Sequence, residues 1–331
     1  MNKKVVVLGG GTGMSSLLKG LKKFPVDITA VVSVCDDGQS TGRLRKEFNI
    51  PAVGDIRKVL VSLADTEPLV EKLLNYRFRT TSDLNGHTVG NLLLTAMGNM
   101  TGNMSDGIEA IGKILNLKGN VLPLTEDNVT LVAKMEDGSI VEGEHNITES
   151  HKTIKKVYYK EKPIVNYAVL EEIKKADLII LSMGSIYTSI IPNLLCKEIV
   201  ELLEEIETPI MYTCNIMTQP GETDNLKVSE HVKIINQYLG KRHIDVVVAN
   251  DGKIDEKMRR KYETLEQKDP VYLDKINLKN IETIFNNYVT IENNYLRHDA
   301  ILLSIDIFKY LIRKWRRKCG KNEAIIGNSM L

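Results

Sequence analysis

Glycines, carboxylates and small polar groups are the residues of this chain that could do chemistry, and they cluster rather than scatter. The first cluster follows a β-branched run, Val5-Val6-Val7-Leu8-Gly9-Gly10-Gly11-Thr12-Gly13. Without side chains in the way, the backbone N–H groups of Gly10, Gly11, Thr12 and Gly13 can approach a phosphate. The positive end of a following helix would favour that anion. No Gly-Lys-Ser/Thr follows, which excludes a P-loop, and Met14 breaks a strict G-x-G-x-x-G. A tight strand–helix turn that binds nothing is the plain alternative. The second cluster is acidic. Asp36 and Asp37 lie about 20 residues past the glycines, where dinucleotide folds place a carboxylate on a ribose hydroxyl. Polar residues follow as far as Arg43-Leu44-Arg45, so this loop could also reach phosphate or a metal ion. Asp55, in Gly54-Asp55-Ile56-Arg57, suits either a helix N-cap or a ligand role.

Further polar clusters repeat the theme. Gly86-His87-Thr88-Val89-Gly90-Asn91 opens a helix and leaves room beside His87 and Asn91 for a ligand. A lone histidine at a helix start is also a common structural hydrogen-bonder, and both readings stand. Ser182-Met183-Gly184-Ser185-Ile186-Tyr187-Thr188-Ser189 joins a Gly-Ser turn to a Thr-Ser pair and makes a second anion cradle, with Pro192 suited to the first helical turn. Asn215-Ile216-Met217-Thr218-Gln219-Pro220-Gly221-Glu222-Thr223 and Ala249-Asn250-Asp251-Gly252 complete the set.

The elements that must position these clusters are legible as short buried runs. Val5–Leu8, Ile28–Val34, Leu178–Leu181, Pro209–Cys214 and Ile244–Val248 read as buried strands, each ending in one of the polar clusters. Apolar-periodic helices lie between them, including Ile56–Leu63, Leu92–Met97, one capped by Ser105, and Tyr167–Ala176 behind Asn166. Ligands of open α/β sheets bind in the crevice outside the carboxyl ends of the strands, so loops recurring at that end point to one site. The expected architecture is α/β and Rossmann-like, a mostly parallel sheet with helices on both faces. It forms a single nucleotide-binding domain over residues 1–320, with 321–331 a frayed tail. Residues 121–163 interrupt the rhythm. Alternation across Asp137-Gly138 reads as a β-hairpin, Ile154–Tyr159 as an edge strand, and His145 and His151 as surface residues.

Composition narrows the function classes. With 44 Lys+Arg against 43 Asp+Glu in 331 residues, the net charge of +1 gives no overall pull toward nucleic acid or membrane. The four cysteines, Cys35, Cys196, Cys214 and Cys319, show no C-x-x-C or metal spacing and read as reduced thiols of a cytoplasmic protein. No run approaches a membrane span. Near the C-terminus, Leu296-Arg297-His298-Asp299 leads into a long helix that ends in Arg313, Lys314, Arg316, Arg317 and Lys318. Such a cluster could meet anionic lipid or nucleic acid, but a solvated helix end suited to the dipole is the simpler reading.

Taken in order, these motifs resemble the YvcK-type gluconeogenesis factor family of bacteria and, more distantly, 2-phospho-L-lactate transferase. The resemblance covers nearly the whole chain, and the Tyr187–Asn193 and Asn215–Thr223 stretches are its most specific parts. It implies a cytoplasmic factor that binds a UDP-sugar such as UDP-N-acetylglucosamine and acts with a protein partner in envelope synthesis and cell shape during gluconeogenic growth. It implies phosphate contacts at Gly10–Gly13 and Gly184–Ser189, and a nucleoside or sugar lined by Asn215, Met217, Gln219, Gly221, Glu222 and Thr223. Arg297 would be a further contact. In the transferase relatives, acids matching Asp37 and Asp55 belong to an Mg²⁺-assisted active site, so both residues are candidate catalytic and metal-holding groups. The chain departs from the family pattern at Gln39, Thr41, Ser182-Met183 and Asp251. Three functions compete: a ligand-sensing factor without turnover, an Mg²⁺-dependent transferase, and an NAD-linked oxidoreductase that Met14 disfavours. A homodimer is expected on general grounds.

Overall fold

The computed structural model describes residues 2–328, with side chains described through Arg316. Seven strands form the main sheet: β1 (Lys3–Gly9), β2 (Val26–Val32), β3 (Asn120–Pro123), β7 (Leu178–Leu181), β8 (Ile210–Thr213), β9 (Val246–Asn250) and β10 (Glu282–Asn286). Their order is β10-β9-β8-β7-β1-β2-β3, and every neighbouring pair is parallel. Burial on both faces explains the unbroken apolar runs, since Val5, Val6, Val7 and Leu8 are all nearly inaccessible. The chain builds outward from β1 through β2 to β3, then crosses back to lay β7 against the other side of β1. The topological switch point therefore falls between β1 and β7.

Helices flank this sheet. They are α1 (Gly11–Leu21), α2 (Gln39–Phe48), α3 (Val53–Leu63), α4 (Pro68–Asn75), α5 (Val89–Thr101) and α6 (Met104–Ile114) in the first half. In the second half come α8 (Tyr167–Lys175), α9 (Ile191–Leu194), α10 (Lys197–Glu205), α11 (Val228–Asn236), α12 (Glu256–Glu266) and α13 (Ala300–Asn328). Helix α1 buries Met14, Leu17, Leu18 and Leu21, and α13 crosses it at Gly20, where a Cβ would stand 2.0 Å from the Ala300 carbonyl oxygen. A single π-turn, Ile186–Ile190, leads into α9, where Pro192 occupies the first helical turn as expected. The tail expected to fray lies where side chains are not described; the backbone of α13 is helical through Asn328.

The region expected as an insertion over 121–163 divides in two. Residues 120–123 are β3 and pair with β2 in the main sheet. The remainder forms a separate antiparallel sheet of β4 (Leu131–Met135), β5 (Ile140–Glu142) and β6 (Ile154–Tyr159), with α7 (Glu144–Ser150) between β5 and β6. The Asp137-Gly138 turn closes its hairpin, with Gly138 at φ +85°. A second hairpin, β11 (Val289–Glu292) and β12 (Tyr295–His298), turns on Asn293 and Asn294, both at positive φ as such turns demand.

Two cap assignments differ from the sequence reading. Asp55 does not cap α3: the helix begins earlier, behind Ala52, so Asp55 falls within its first turn. Asn103 caps α6 by accepting from the Asp106 amide, while Ser105 inside the turn hydrogen-bonds Glu126. Asn166 caps α8 as expected, accepting from the Ala168 amide.

Candidate functional site

At the switch point the glycine loop and the turn after β7 meet almost in contact. A Cβ on Gly13 would lie 2.2 Å from the Met183 carbonyl oxygen, which leaves no side chain possible there. Gly10, extended, precedes α1 without any side-chain cap, and Gly11 takes φ +68°. The amino end of α1 is thus an uncapped set of N–H groups facing the crevice. Opposite it, Asn215 clasps Gly184 through two hydrogen bonds: its Oδ1 accepts from the Gly184 amide at 2.8 Å and its Nδ2 donates to the Gly184 carbonyl at 2.7 Å. That clasp ties the β7 and β8 loops into one rigid wall.

A cavity of about 320 Å³ opens beside this wall. It brings together Thr12, Gly13, Gly184, Asn215, Met217, Gln219 and Arg297, all expected at a site from the sequence. Its outer side is made by residues that sequence reasoning did not assign there: Tyr262 and Glu266 from α12, Lys268, and Tyr295 and His298 from the second hairpin. The helix and hairpin are locked to each other, since the Leu296 amide donates to the Tyr262 hydroxyl at 2.8 Å and Lys261 donates to the Asn294 carbonyl at 2.7 Å. The Arg297 guanidinium lies 5.3 Å from the centre of the Tyr295 ring. His298 donates Nε2–H to the Cys214 carbonyl at 3.1 Å, and burial pushes its pKa down to about 4, so it is a neutral prop.

On the other side of the glycine loop the acids converge. Asp55 faces Gly10, whose Cβ would come within 2.7 Å of Asp55 Oδ2. Its Oδ1 accepts from Lys58 at 2.9 Å. Burial pulls the Lys58 ammonium down, but the Asp55 charge outweighs it and the net shift is upward. Asp36 is spent locally: Oδ1 accepts from the Gly38 amide and Oδ2 from the Thr41 hydroxyl, each at 2.9 Å. Asp37 reaches the insertion and accepts from the His145 amide at 2.8 Å, in the first turn of α7. Glu144, from the same helix, was not anticipated. Burial and the charges of Asp36, Asp55 and Asp37 raise its pKa to about 7 against a hydrogen bond with Thr188. His145 and His151 are exposed, as expected.

The remaining expected residues lie behind these surfaces. Ser185 donates to Glu222 at 2.5 Å, the Tyr187 amide reaches the same oxygen at 3.4 Å, and the Gln219 amide donates to Thr223 at 2.9 Å. Gly221 packs against the His151 backbone, and Ser189 lies against Gly184. These groups hold the β7 and β8 loops in shape. His87 and Asn91 belong to a separate buried network: His87 Nδ1 pairs with Ser40 at 3.0 Å, and Asn91 binds both Ser40 and Arg57. Arg43 donates to the carbonyls of Asp83 and Asn85, fastening the loop before α5. Burial, then the Arg43 charge, lowers the His87 pKa. Among the described residues no group of three or more His, Cys, Asp or Glu is arranged to hold a metal ion, and no helix is long and apolar enough to cross a membrane.

Known proteins share this chain's sequence and fold over most of its length. The family model described as 2-phospho-L-lactate transferase CofD matches residues 5–289. A Bacillus subtilis protein named "Gluconeogenesis factor" is 46% identical over 312 residues, spanning 92% of this chain and 98% of that one. A Listeria monocytogenes protein of the same name is 38% identical over 90% of this chain and 92% of that one. A crystal structure of a Bacillus halodurans protein superposes with a TM-score of 0.90 at 43% identity, covering 93% of this chain and all of that one.

Proposed function

Because this chain belongs to the family of 2-phospho-L-lactate transferase CofD, and is similar over its length to bacterial gluconeogenesis factors, we propose that its switch-point crevice binds a nucleotide sugar. The ligand of choice is UDP-N-acetylglucosamine or a close relative, and the bound state is read by a protein partner without turnover. One observation carries this reading: the uncapped end of α1 opens directly into the cavity that ends at Tyr295 and Arg297. The diphosphate lies along Gly10–Gly13, whose N–H groups no side chain caps, and passes Gly184, whose own N–H is held by Asn215 but which puts no side chain in the way. Arg297 adds a cation, and the tyrosines offer flat apolar surface to a base or sugar ring. The relatives' name supports a role during gluconeogenic growth, which we place in envelope synthesis and cell shape in the cytoplasm.

The acids beside Gly10 favour a second reading, an Mg²⁺-assisted transferase. Their geometry limits it. Asp36 spends both oxygens, Asp37 one, and Asp55 one, leaving Asp55 Oδ2 as the carboxylate oxygen facing the glycine loop. That set suits an Mg²⁺ carried in on the ligand's phosphates rather than one caged by protein alone. Such an ion would offset phosphate charge. Calorimetric titration with UDP-N-acetylglucosamine, UDP-glucose, NAD and GDP, each with and without Mg²⁺, tests both readings. Selective UDP-sugar binding with ligand recovered intact supports the sensor. A consumed ligand, or binding only of GDP with Mg²⁺, replaces it with the transferase, and binding of NAD alone refutes both.

A further inference from the structure

The basic end of α13 takes no part in the crevice, and its surroundings suggest a use. Lys3, which begins β1, places Nζ 5.8 Å from the ring centre of Trp315, the only tryptophan of the chain. Trp315 therefore lies at the amino end of β1, while the glycine loop lies at its carboxyl end. The strand's seven residues hold the two roughly 20 Å apart. A contact at Trp315 would leave the crevice open.

Trp315 is 47% exposed although it continues an apolar stripe. Phe308, Leu311, Ile312 and Trp315 follow i, i+3, i+4, i+7 spacing along α13. Phe308 stacks on Phe24 at 5.4 Å, so the inner part of the stripe is covered and its outer end is not. Cations surround that end. Arg313 is tied to Glu282, Lys309 to Asp306 and Lys3 to Asp177. Among the described residues no ion pair holds Lys314 or Arg316, and Arg317 and Lys318 continue the run in sequence.

We infer that the Trp315 end of α13 docks on an anionic lipid surface. An indole with an apolar body and a polar N–H suits the headgroup boundary, and the flanking Lys and Arg supply attraction to anionic headgroups. Charge alone would serve nucleic acid equally; the exposed apolar stripe ending in tryptophan favours lipid. The contact is peripheral, with the helix lying at the interface.

The single tryptophan makes the test direct. The full chain is titrated with vesicles of phosphatidylcholine alone and of phosphatidylcholine with phosphatidylglycerol, and binding is read by Trp emission and co-sedimentation. The expected result is a blue shift and sedimentation with anionic vesicles, neither with neutral ones, and loss of both in high salt. Lys314→Gln with Arg316→Gln should weaken partitioning roughly fivefold for each charge removed. Circular dichroism and melting of this double variant should match the parent, because both side chains are exposed. No shift with anionic vesicles overturns the inference, as does equal binding to neutral ones. A shift produced by a short DNA duplex and not by vesicles assigns the surface to nucleic acid instead.

Discussion

Glu222 lets the packing behind the Gly184 turn be tested in energy units. Its carboxylate accepts from Ser185 at 2.5 Å and from the Tyr187 amide at 3.4 Å, yet burial outweighs both bonds and raises its pKa from 4.5 to about 7. A folded-state pKa above the unfolded one means that the folded chain binds more protons across that interval. Stability is therefore fullest below the unfolded value and falls as pH rises through the folded one. At about 1.4 kcal/mol per pH unit separating the two values, the loss between about pH 5 and about pH 8 is roughly 2 to 3 kcal/mol. Glu144, also raised to about 7, adds a fall of the same sign, so the effect must be isolated by difference. Glu222→Gln retains an acceptor oxygen for Ser185 and removes the ionisation. Urea unfolding of parent and variant across this range should give curves that diverge by that amount, the parent losing more as pH rises. Parallel curves would refute the argument, because they would show that Glu222 ionises in the fold as it does in the unfolded chain.

Other expectations follow from single contacts. Gly11→Val forces a β-branched residue into φ +68° at the loop and should lower UDP-sugar affinity by more than tenfold, measured by calorimetry on folded variant; equal affinity would remove the glycine loop from the site. Arg297→Ala should weaken the same binding with little change in melting temperature, since the guanidinium's hydrogen bond is only to its neighbour's carbonyl; identical titration curves would exclude it. Asp55→Asn breaks an ion pair in which the Lys58 side chain is 38% and the Asp55 side chain 13% exposed, and should cost about 1 to 3 kcal/mol in urea unfolding while abolishing any Mg²⁺ enhancement of binding. Tyr159→Phe removes a buried hydroxyl that donates to the Pro192 carbonyl at 3.0 Å and should destabilise by about 1 to 3 kcal/mol in the same assay, since that bond ties β6 of the insertion to α9.

The parallel sheet was legible because its strands are buried on both faces and carry little else: Leu178–Leu181 could be bounded to the residue. Edge strand β10 was not, since Glu282-Thr-Ile-Phe-Asn is half-buried and mixes polar with apolar residues. The site divides in the same way. Thr12, Gly13, Gly184, Asn215, Met217 and Gln219 follow directly from loops at strand ends, where the switch-point rule applies. Arg297 came from family resemblance alone, for nothing in its neighbourhood marks it. Tyr262, Lys268 and Tyr295 enter the cavity only because α12 is locked to the second hairpin, an alignment no local pattern encodes; the Asn293-Asn294 turn was its one available signal. Glu144 stands beside Asp36 and Asp55 because α7 folds back onto Asp37, 108 residues away in sequence from the amide it caps. His87, Asn91 and Arg43 show the converse. Small, glycine-punctuated polar sequence resembles a ligand site, yet here each of these side chains bonds to neighbouring protein groups. What separates the two kinds of polar loop is whether protein already occupies the donors. At Gly10–Gly13 the backbone N–H groups have no side-chain cap, whereas around Ser40 the side chains satisfy one another. On that criterion, a substitution that frees the Ser40 network should lower stability without touching ligand affinity, while one at the glycine loop should lower ligand affinity.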